Sequence, residues 1–381
     1  MKVILTCAGT GGHINPAIAI ANIIKKNNPD CDILFIGTKT GLENDLVVKA
    51  GYDIKSIRTG KFLRHITFKN IKDIFKILGG ISDAKKIIKQ FKPDIIIGTG
   101  GYICGPVMLA AKHFKIPYIL HESNSYPGIA VKFLAKKAKY VFIGFKDAKP
   151  RLKNRSNIIY TGTPTKFTRQ NIDKLDIDKC KNELDLSVDK IEKSKKIIFV
   201  TGGSQGAVKF NQVILDMVKT YHDKNIYIVL VTGQKNYNKV ISQKQSIESK
   251  ENINLDKYIS IRKFVYDMDK MYKVADLCIT RSGAMTINEL IIASKPSILI
   301  PFPYATENHQ LYNAQVLENL GAAEVILEPE LTTAKLYNSI KRIVMDDKKL
   351  NSMSKSAGSI LKMDTEQVIY KYILKAINEG D

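Results

Sequence analysis

The chain has 381 residues, 44% hydrophobic and 25% charged, with 59 Lys and Arg against 37 Asp and Glu for a formal net charge of +22. That length exceeds one ordinary domain, and the apolar share suffices for two sizeable cores, which excludes a disordered or fibrous chain. The positive excess attracts anions in general, whether nucleic acid, phosphorylated ligand or acidic lipid, and does not choose among them.

From the first residue onward, short β-rich apolar runs alternate with longer helical patterns, as in parallel-sheet α/β units. Met1–Leu5 turns polar too soon for a signal-peptide core. Strands are predicted at Lys2–Thr6, Asp32–Ile36, Ile95–Gly98, Tyr118–Leu120 and Tyr140–Ile143. Helices are expected at Pro16–Lys26, Phe68–Gln90, Gly105–Phe114 and Gly128–Lys137. Pro164 stands where a linker belongs, because the residue before a proline resists helix. A second series follows, with strands at Lys196–Val200, Ile226–Val231, Leu277–Thr280 and Ser297–Ile300. Its helices are near Val208–Lys219, Met285–Ala293 and Gln310–Asn319. Glu366–Asn378 is amphipathic, and pattern alone does not assign it to a domain. The five cysteines are scattered without a C-x-x-C pair, which fits a reducing compartment and neither a disulfide framework nor a zinc site. No run approaches the roughly 20 apolar residues of a membrane span. A cytoplasmic protein is expected, touching a membrane only from its surface.

Three strand-to-helix turns carry paired glycines: Gly9-Thr10-Gly11-Gly12-His13, Gly98-Thr99-Gly100-Gly101-Tyr102, and Thr201-Gly202-Gly203-Ser204-Gln205-Gly206. Glycine lets backbone N–H groups approach a ligand, and the following helix N-terminus offers unpaired donors to a phosphate. A single such turn serves many α/β proteins merely to reverse the chain; three, split between the halves, favour phosphate binding in each. The dinucleotide fingerprint fails, since Ile14 stands where the third glycine belongs and Phe35-Ile36-Gly37-Thr38 lacks an acid for a ribose. No G-K-[ST] follows any turn, so a Walker loop fails too. A fourth turn, Arg281-Ser282-Gly283-Ala284-Met285-Thr286, leads to Asn288-Glu289 and then to Pro301–Gln310. Thr286 and Glu289 have capping-box spacing; alternatively, Glu289 accepts hydrogen bonds from a ribose diol.

Taken together, Gly9–Pro16, Gly98–Pro106, His121–Asn124, Gly162–Lys166, Thr201–Ala207, Arg281–Glu289 and Pro301–Gln310 resemble, in order and spacing, the MurG family of peptidoglycan synthesis. The resemblance implies two Rossmann-like doubly wound domains facing across a cleft, the GT-B glycosyltransferase fold. It implies an acceptor- and membrane-binding domain, 1–163 plus a C-terminal helix 366–381, and a UDP-sugar-binding domain, 164–365. The implied activity is inverting transfer of GlcNAc from UDP-GlcNAc to muramyl-pentapeptide pyrophosphoryl-undecaprenol, lipid I to lipid II. Alternatives are a related UDP-sugar transferase with another lipid-linked acceptor, or a non-catalytic nucleotide-sugar binding module. Carried over residue by residue, donor contacts would come from Thr10, Gly11, Gly12, Asn124, Lys166, Ser204, Val265, Ala284, Met285, Thr286, Ile287, Asn288, Glu289 and Gln310. Gly100, Gly101 and Tyr102 would hold the acceptor diphosphate. Two departures stand out: Lys166 replaces the usual arginine and loses its bidentate fork, and Ser123 replaces the usual glutamine of H-E-Q-N.

Transfer to a hydroxyl needs a base. His13 follows a Gly-Gly turn and carries an imidazole, a group suited to base chemistry at neutral pH; Glu122 ends a strand in a glycine-framed region but would need its pKa raised. The pattern leans to His13 and leaves both open. D-x-D pairs at Asp30/Asp32, Asp176/Asp178 and Asp267/Asp269 do not follow glycine turns. No metal and no cofactor is therefore expected, with helix N-termini after Gly203 and Gly283 stabilising the leaving diphosphate. Removing one such preorganised donor typically costs about 2.7–4 kcal/mol.

Between Lys61 and Leu78, the apolar Phe62, Leu63, Ile66, Phe68 and Phe75 alternate with Lys69, Lys72 and Lys76. This is either a core helix with a solvated basic face or an interfacial helix seeking anionic lipid on the cytoplasmic face of the membrane. Nucleic-acid binding, suggested by charge alone, lacks an aromatic-rich or helix-turn-helix signature.

Overall fold

A computed structural model of the chain describes residues 1–60, 71–187, 191–192, 195–203, 207–360 and 363–379. It divides into two compact units, Met1–Lys166 with Met363–Asp381, and Phe167–Lys362. The first carries a seven-stranded sheet in the order β3-β2-β1-β4-β5-β6-β7. Its strands are β1 (Lys2–Thr6), β2 (Asp32–Gly37), β3 (Asp53–Ser56), β4 (Ile95–Gly98), β5 (Tyr118–Glu122), β6 (Tyr140–Ile143) and β7 (Ile158–Tyr160). The second carries a six-stranded sheet in the order β10-β9-β8-β11-β12-β13. Here the strands are β8 (Lys196–Thr201), β9 (Ile226–Val231), β10 (Ile259–Arg262), β11 (Leu277–Thr280), β12 (Ser297–Leu299) and β13 (Ala323–Val325). Every adjacent pair is parallel. Each unit is thus a Rossmann-like doubly wound domain.

Parallel strands need crossovers, and helices on both faces explain why central strands are apolar throughout rather than alternating. In β1, Val3 and Leu5 join one core with Ile20 and Ile24 of the Gly11–Asn27 helix, while Ile4 joins the opposite core with Val107 and Ala110. The C-terminal helix, Thr365–Asn378, buries Ile369, Ile373 and Ala376 in the same core as Val3 and Leu5. Its ends are pinned by Lys26–Glu366 and by Tyr140 and Lys139 on Glu379.

Sequence and structure part at three places. The strands β3, β7, β10 and β13, absent from the predicted set, form the four sheet edges. Edge strands are short and partly solvated, and three of the four carry polar residues in their runs, as in Asp-Ile-Lys-Ser of β3; β7, Ile-Ile-Tyr, is only three residues long. The first helix begins at Gly11 rather than Pro16, carrying Pro16 inside it. Proline forfeits one backbone bond there, which the buried face of the helix outweighs. Finally, Thr286 and Glu289 do not form a capping box: the N-cap is Gly283, and Thr286 is the third helical residue.

Candidate functional site

In the first unit, register brings two glycine turns side by side. Thr6 pairs with Gly98, so the turns after β1 and β4 leave neighbouring strand ends where the sheet order reverses, the position at which open α/β sheets bind ligands. Gly9 has φ +103°, and Thr10 caps the Gly11–Asn27 helix without a side-chain hydrogen bond. His13 sits in the first turn of that helix, with Nδ1 3.2 Å from the Thr99 carbonyl oxygen. A carbonyl only accepts, so Nδ1 carries the hydrogen and Nε2 is the basic nitrogen of the neutral ring, an assignment made from its partner. The Thr99 hydroxyl donates back to the His13 carbonyl at 2.6 Å. Gly100 has φ +119°, and a Cβ there would lie 2.4 Å from His13 Nδ1; one on Gly101 would lie 2.4 Å from the Ala8 carbonyl oxygen. Tyr102, next in the turn, is exposed.

Glu43 joins the turn from outside the predicted site. It is fully buried, accepts the Thr38 amide at 2.9 Å and hydroxyl at 2.6 Å, and receives the Gly9 amide at 3.4 Å. Its bonds to Thr38 are local, but the one to Gly9 forms only when the ends of β1 and β2 lie together.

At the end of β5, Glu122 is buried with both oxygens engaged. Oε1 accepts from the backbone and side-chain nitrogens of Asn124 at 2.9 and 3.0 Å, and Oε2 accepts the Gly128 amide at 2.8 Å. The carboxylate ties down the loop carrying Asn124. His121 is fully buried between Ser123 Oγ, 3.3 Å from Nδ1, and the Gly162 carbonyl, 3.4 Å from Nε2. Burial pushes its imidazole down to about 4, the nearby His13 adds in the same direction, and the Gly162 carbonyl opposes. His121 is therefore neutral at physiological pH. Ser123, where glutamine is usual, serves as its partner.

In the second unit the same geometry recurs. Thr201 pairs with Thr280, so the Gly202-Gly203 turn and the Arg281–Gly283 turn are neighbours at the reversal between β8 and β11. Gly203 has φ +82° and its amide meets Thr201 Oγ1 at 3.2 Å; Ser204 lies outside the described residues. The helix Ala284–Ile292 has Gly283 as its N-cap, which brings no side chain to its first amides; Ala284 is buried, and Met285 and Thr286 are partly accessible. Ile287 and Asn288 are buried, and Asn288 donates to the Ala284 carbonyl at 2.8 Å. Glu289 is half-buried and accepts the Tyr272 hydroxyl on Oε2 at 2.9 Å.

Arg281 links this turn to the loop after β12. It is nearly buried, donates to the Ile300 and Pro301 carbonyls at 3.1 and 3.2 Å, and pairs with Glu328. The Ser282 hydroxyl donates to the Gln310 carbonyl at 2.7 Å, and Gln310 Oε1 accepts the Phe302 amide at 2.9 Å. Just before Gln310, Glu307 and Asn308 both adopt left-handed φ, 56° and 51°, a conformation costing about 1–3 kcal/mol each and concentrated at ligand sites. Val265 is buried between the exposed Phe264 and Tyr266.

Lys166 is exposed at the end of the first unit. Phe62, Leu63, Ile66, Phe68 and Lys69 lie outside the described residues, as does the side chain of Lys72. In the helix Ile71–Phe91, Phe75 and Leu78 are 68% and 56% exposed, and Lys76 lies between them. Among the described residues no three His, Cys, Asp or Glu groups converge as a metal set would, and no helix is long and apolar enough to cross a membrane.

Comparison with known proteins agrees with this architecture. Residues 3–143 match the N-terminal domain of glycosyltransferase family 28, and residues 197–369 match its C-terminal domain. UDP-N-acetylglucosamine--N-acetylmuramyl-(pentapeptide) pyrophosphoryl-undecaprenol N-acetylglucosamine transferase of Thermoanaerobacter sp. (strain X514) is 39% identical over 373 residues, 98% of this chain and 99% of its own. The Acetivibrio thermocellus protein of the same name is 39% identical over 374 residues, covering 98% and 97%. The crystal structure of Acinetobacter baumannii MurG superposes with a TM-score of 0.76 at 27% identity, covering 98% of this chain and 99% of that one.

Proposed function

This chain belongs to the MurG family within glycosyltransferase family 28, and from that membership we infer which of its residues carry out the transfer. It is a UDP-GlcNAc-dependent glycosyltransferase that moves N-acetylglucosamine onto the lipid-linked muramyl-pentapeptide pyrophosphate, lipid I to lipid II. The observation that carries the residue assignment is a repeated one: in each unit, a glycine turn and a second turn lie side by side at the reversal of strand order.

The second unit holds the donor. The backbone amides at the start of Ala284–Ile292, together with the glycine turn that runs into Ser204, take the diphosphate, where the helix dipole favours anionic charge. Glu289 accepts the ribose hydroxyls, Gln310 lies beside the same turn through its bond with Ser282, and Val265 lies near the uracil. As the bond from the anomeric carbon to the diphosphate breaks, these donors stabilise the charge on departing UDP without reorganising. The first unit holds the acceptor, with Gly100, Gly101 and Tyr102 at its diphosphate.

His13 is the base. The acceptor hydroxyl forms the new bond to the anomeric carbon, and its proton passes to Nε2, the nitrogen left basic when Nδ1–H is committed to Thr99. Glu122 is a positioning acid, since its ionised form accepts the Asn124 and Gly128 amides and a proton on either oxygen would weaken that hold. The basic, apolar segment through Phe75 and Lys76 lies on the cytoplasmic membrane surface and meets anionic lipid. Radiolabelled UDP-GlcNAc supplied with the muramyl-pentapeptide polyprenyl diphosphate tests the assignment. Labelled lipid II is expected from wild-type protein, and its loss in His13→Ala with retained UDP binding separates base from donor site. Undiminished transfer by that variant contradicts the role given to His13.

A further inference from the structure

Tyr272 takes no part in the scheme above, yet it is the largest fully buried side chain of the second unit. It lies on the helix Met268–Val274, with its ring edge-on to Phe199 at 5.9 Å and tilted against Phe167 at 6.0 Å. A phenylalanine would occupy nearly the same volume and carry no polar group needing a partner. The hydroxyl instead reaches Glu289 Oε2 at 2.9 Å. Burial, with the Glu289 charge adding to it, pushes the phenol well above its ordinary value, so it remains a donor at any working pH.

We propose that Tyr272 is a positioning residue for nucleoside recognition, its core-anchored hydroxyl fixing the rotation of the Glu289 carboxylate that meets the ribose diol of the donor. The proposal rests on the reading of Glu289 as the ribose acceptor. Glu289 is only partly buried, and a charge-assisted bond from a ring fixed in the core biases its carboxylate toward one rotamer before the ligand arrives. The same helix begins three residues after Val265, the residue placed near the uracil. One hydrogen bond therefore ties the uracil side of the site to its ribose side.

The test compares calorimetric binding of UDP and of 2′,3′-dideoxy-UDP, which lacks both ribose hydroxyls, to the full-length protein. Wild type is expected to prefer UDP by about tenfold or more, and Tyr272→Phe to lose about five- to tenfold in UDP affinity while binding the dideoxy compound as wild type does. In a Glu289→Ala background, Tyr272→Phe is expected to change UDP binding no further. A Tyr272→Phe protein that keeps the wild-type preference overturns the positioning role. So does an equal loss for both ligands, which marks a general loosening, and so does a further loss in the Glu289→Ala background. A wild type without preference for the diol overturns the ribose reading of Glu289 itself, a result distinguishable from the others because it needs no variant.

Discussion

A methyl group on Gly100 would sit 2.4 Å from Nδ1 of His13, so these residues, from turns on two neighbouring strands, define each other's position. The Thr99 carbonyl orients the ring, and the bare Gly100 backbone is what the ring packs against. Gly100→Ala must displace His13 and also strain a backbone at φ +119°. Turnover is expected to fall about 10²-fold, the scale of a displacement of about 1 Å at a reacting group. Steady-state transfer rates set beside UDP affinity check this, and UDP binding in the other unit is expected to persist.

The two candidate bases differ in their pH behaviour. His13→Ala is expected to lower kcat by about 10²- to 10⁴-fold and abolish the acidic limb of the pH–rate profile. Glu122→Gln keeps that limb, because its effect comes through the loop that Asn124 and Gly128 belong to. The reverse pattern in the two profiles would transfer the base role to Glu122.

Acid stability follows from His121. Its folded value, about 4, lies below the ordinary histidine value of 6.5. Above 6.5 neither state gains a proton; below it the unfolded chain does and the folded one does not. Stability is therefore complete above that pH and lost as pH falls toward 4, by about 1.4 kcal/mol per pH unit and about 3 kcal/mol in all. Urea unfolding at stepped pH, wild type against His121→Gln, is expected to show this slope only in the wild type.

Arg281 and Glu328 form an ion pair with side chains only 11% and 16% exposed. Arg281→Ala strands a carboxylate and frees two carbonyls, for an expected loss of about 3–5 kcal/mol. Arg281→Met with Glu328→Leu is expected to recover most of it. Denaturant unfolding of the three proteins decides, and a single-variant loss under about 1 kcal/mol would contradict the pair's importance.

Membrane contact is testable with vesicles. Sedimentation with anionic liposomes at low salt is expected for wild type and lost in Lys69→Glu, Lys72→Glu, Lys76→Glu, since each cation near an acidic leaflet is worth about 1 kcal/mol. Phe75→Ser, which removes a ring 68% exposed, is expected to weaken it further. Equal sedimentation of all proteins argues for an ordinary solvated helix.

The central strands and glycine turns were legible because both are local signals: a strand covered on both faces reads as a continuous apolar run, and a left-handed turn demands glycine. The strands at the sheet edges were not, because half-solvated edges tolerate Asp53, Lys55, Ser260 and Glu324. By itself, then, the sequence determined two doubly wound units, the order of their turns and the family to which they belong. Only the tertiary structure decided which nitrogen of His13 is basic, that both oxygens of Glu122 are engaged, and that Thr286 caps nothing. It alone joined Glu43 to Gly9, Tyr272 to Glu289 and Arg281 to Glu328, residues 34, 17 and 47 positions apart. Such pairs meet through strand order and register, and nothing in either partner's local sequence encodes its distance to the other.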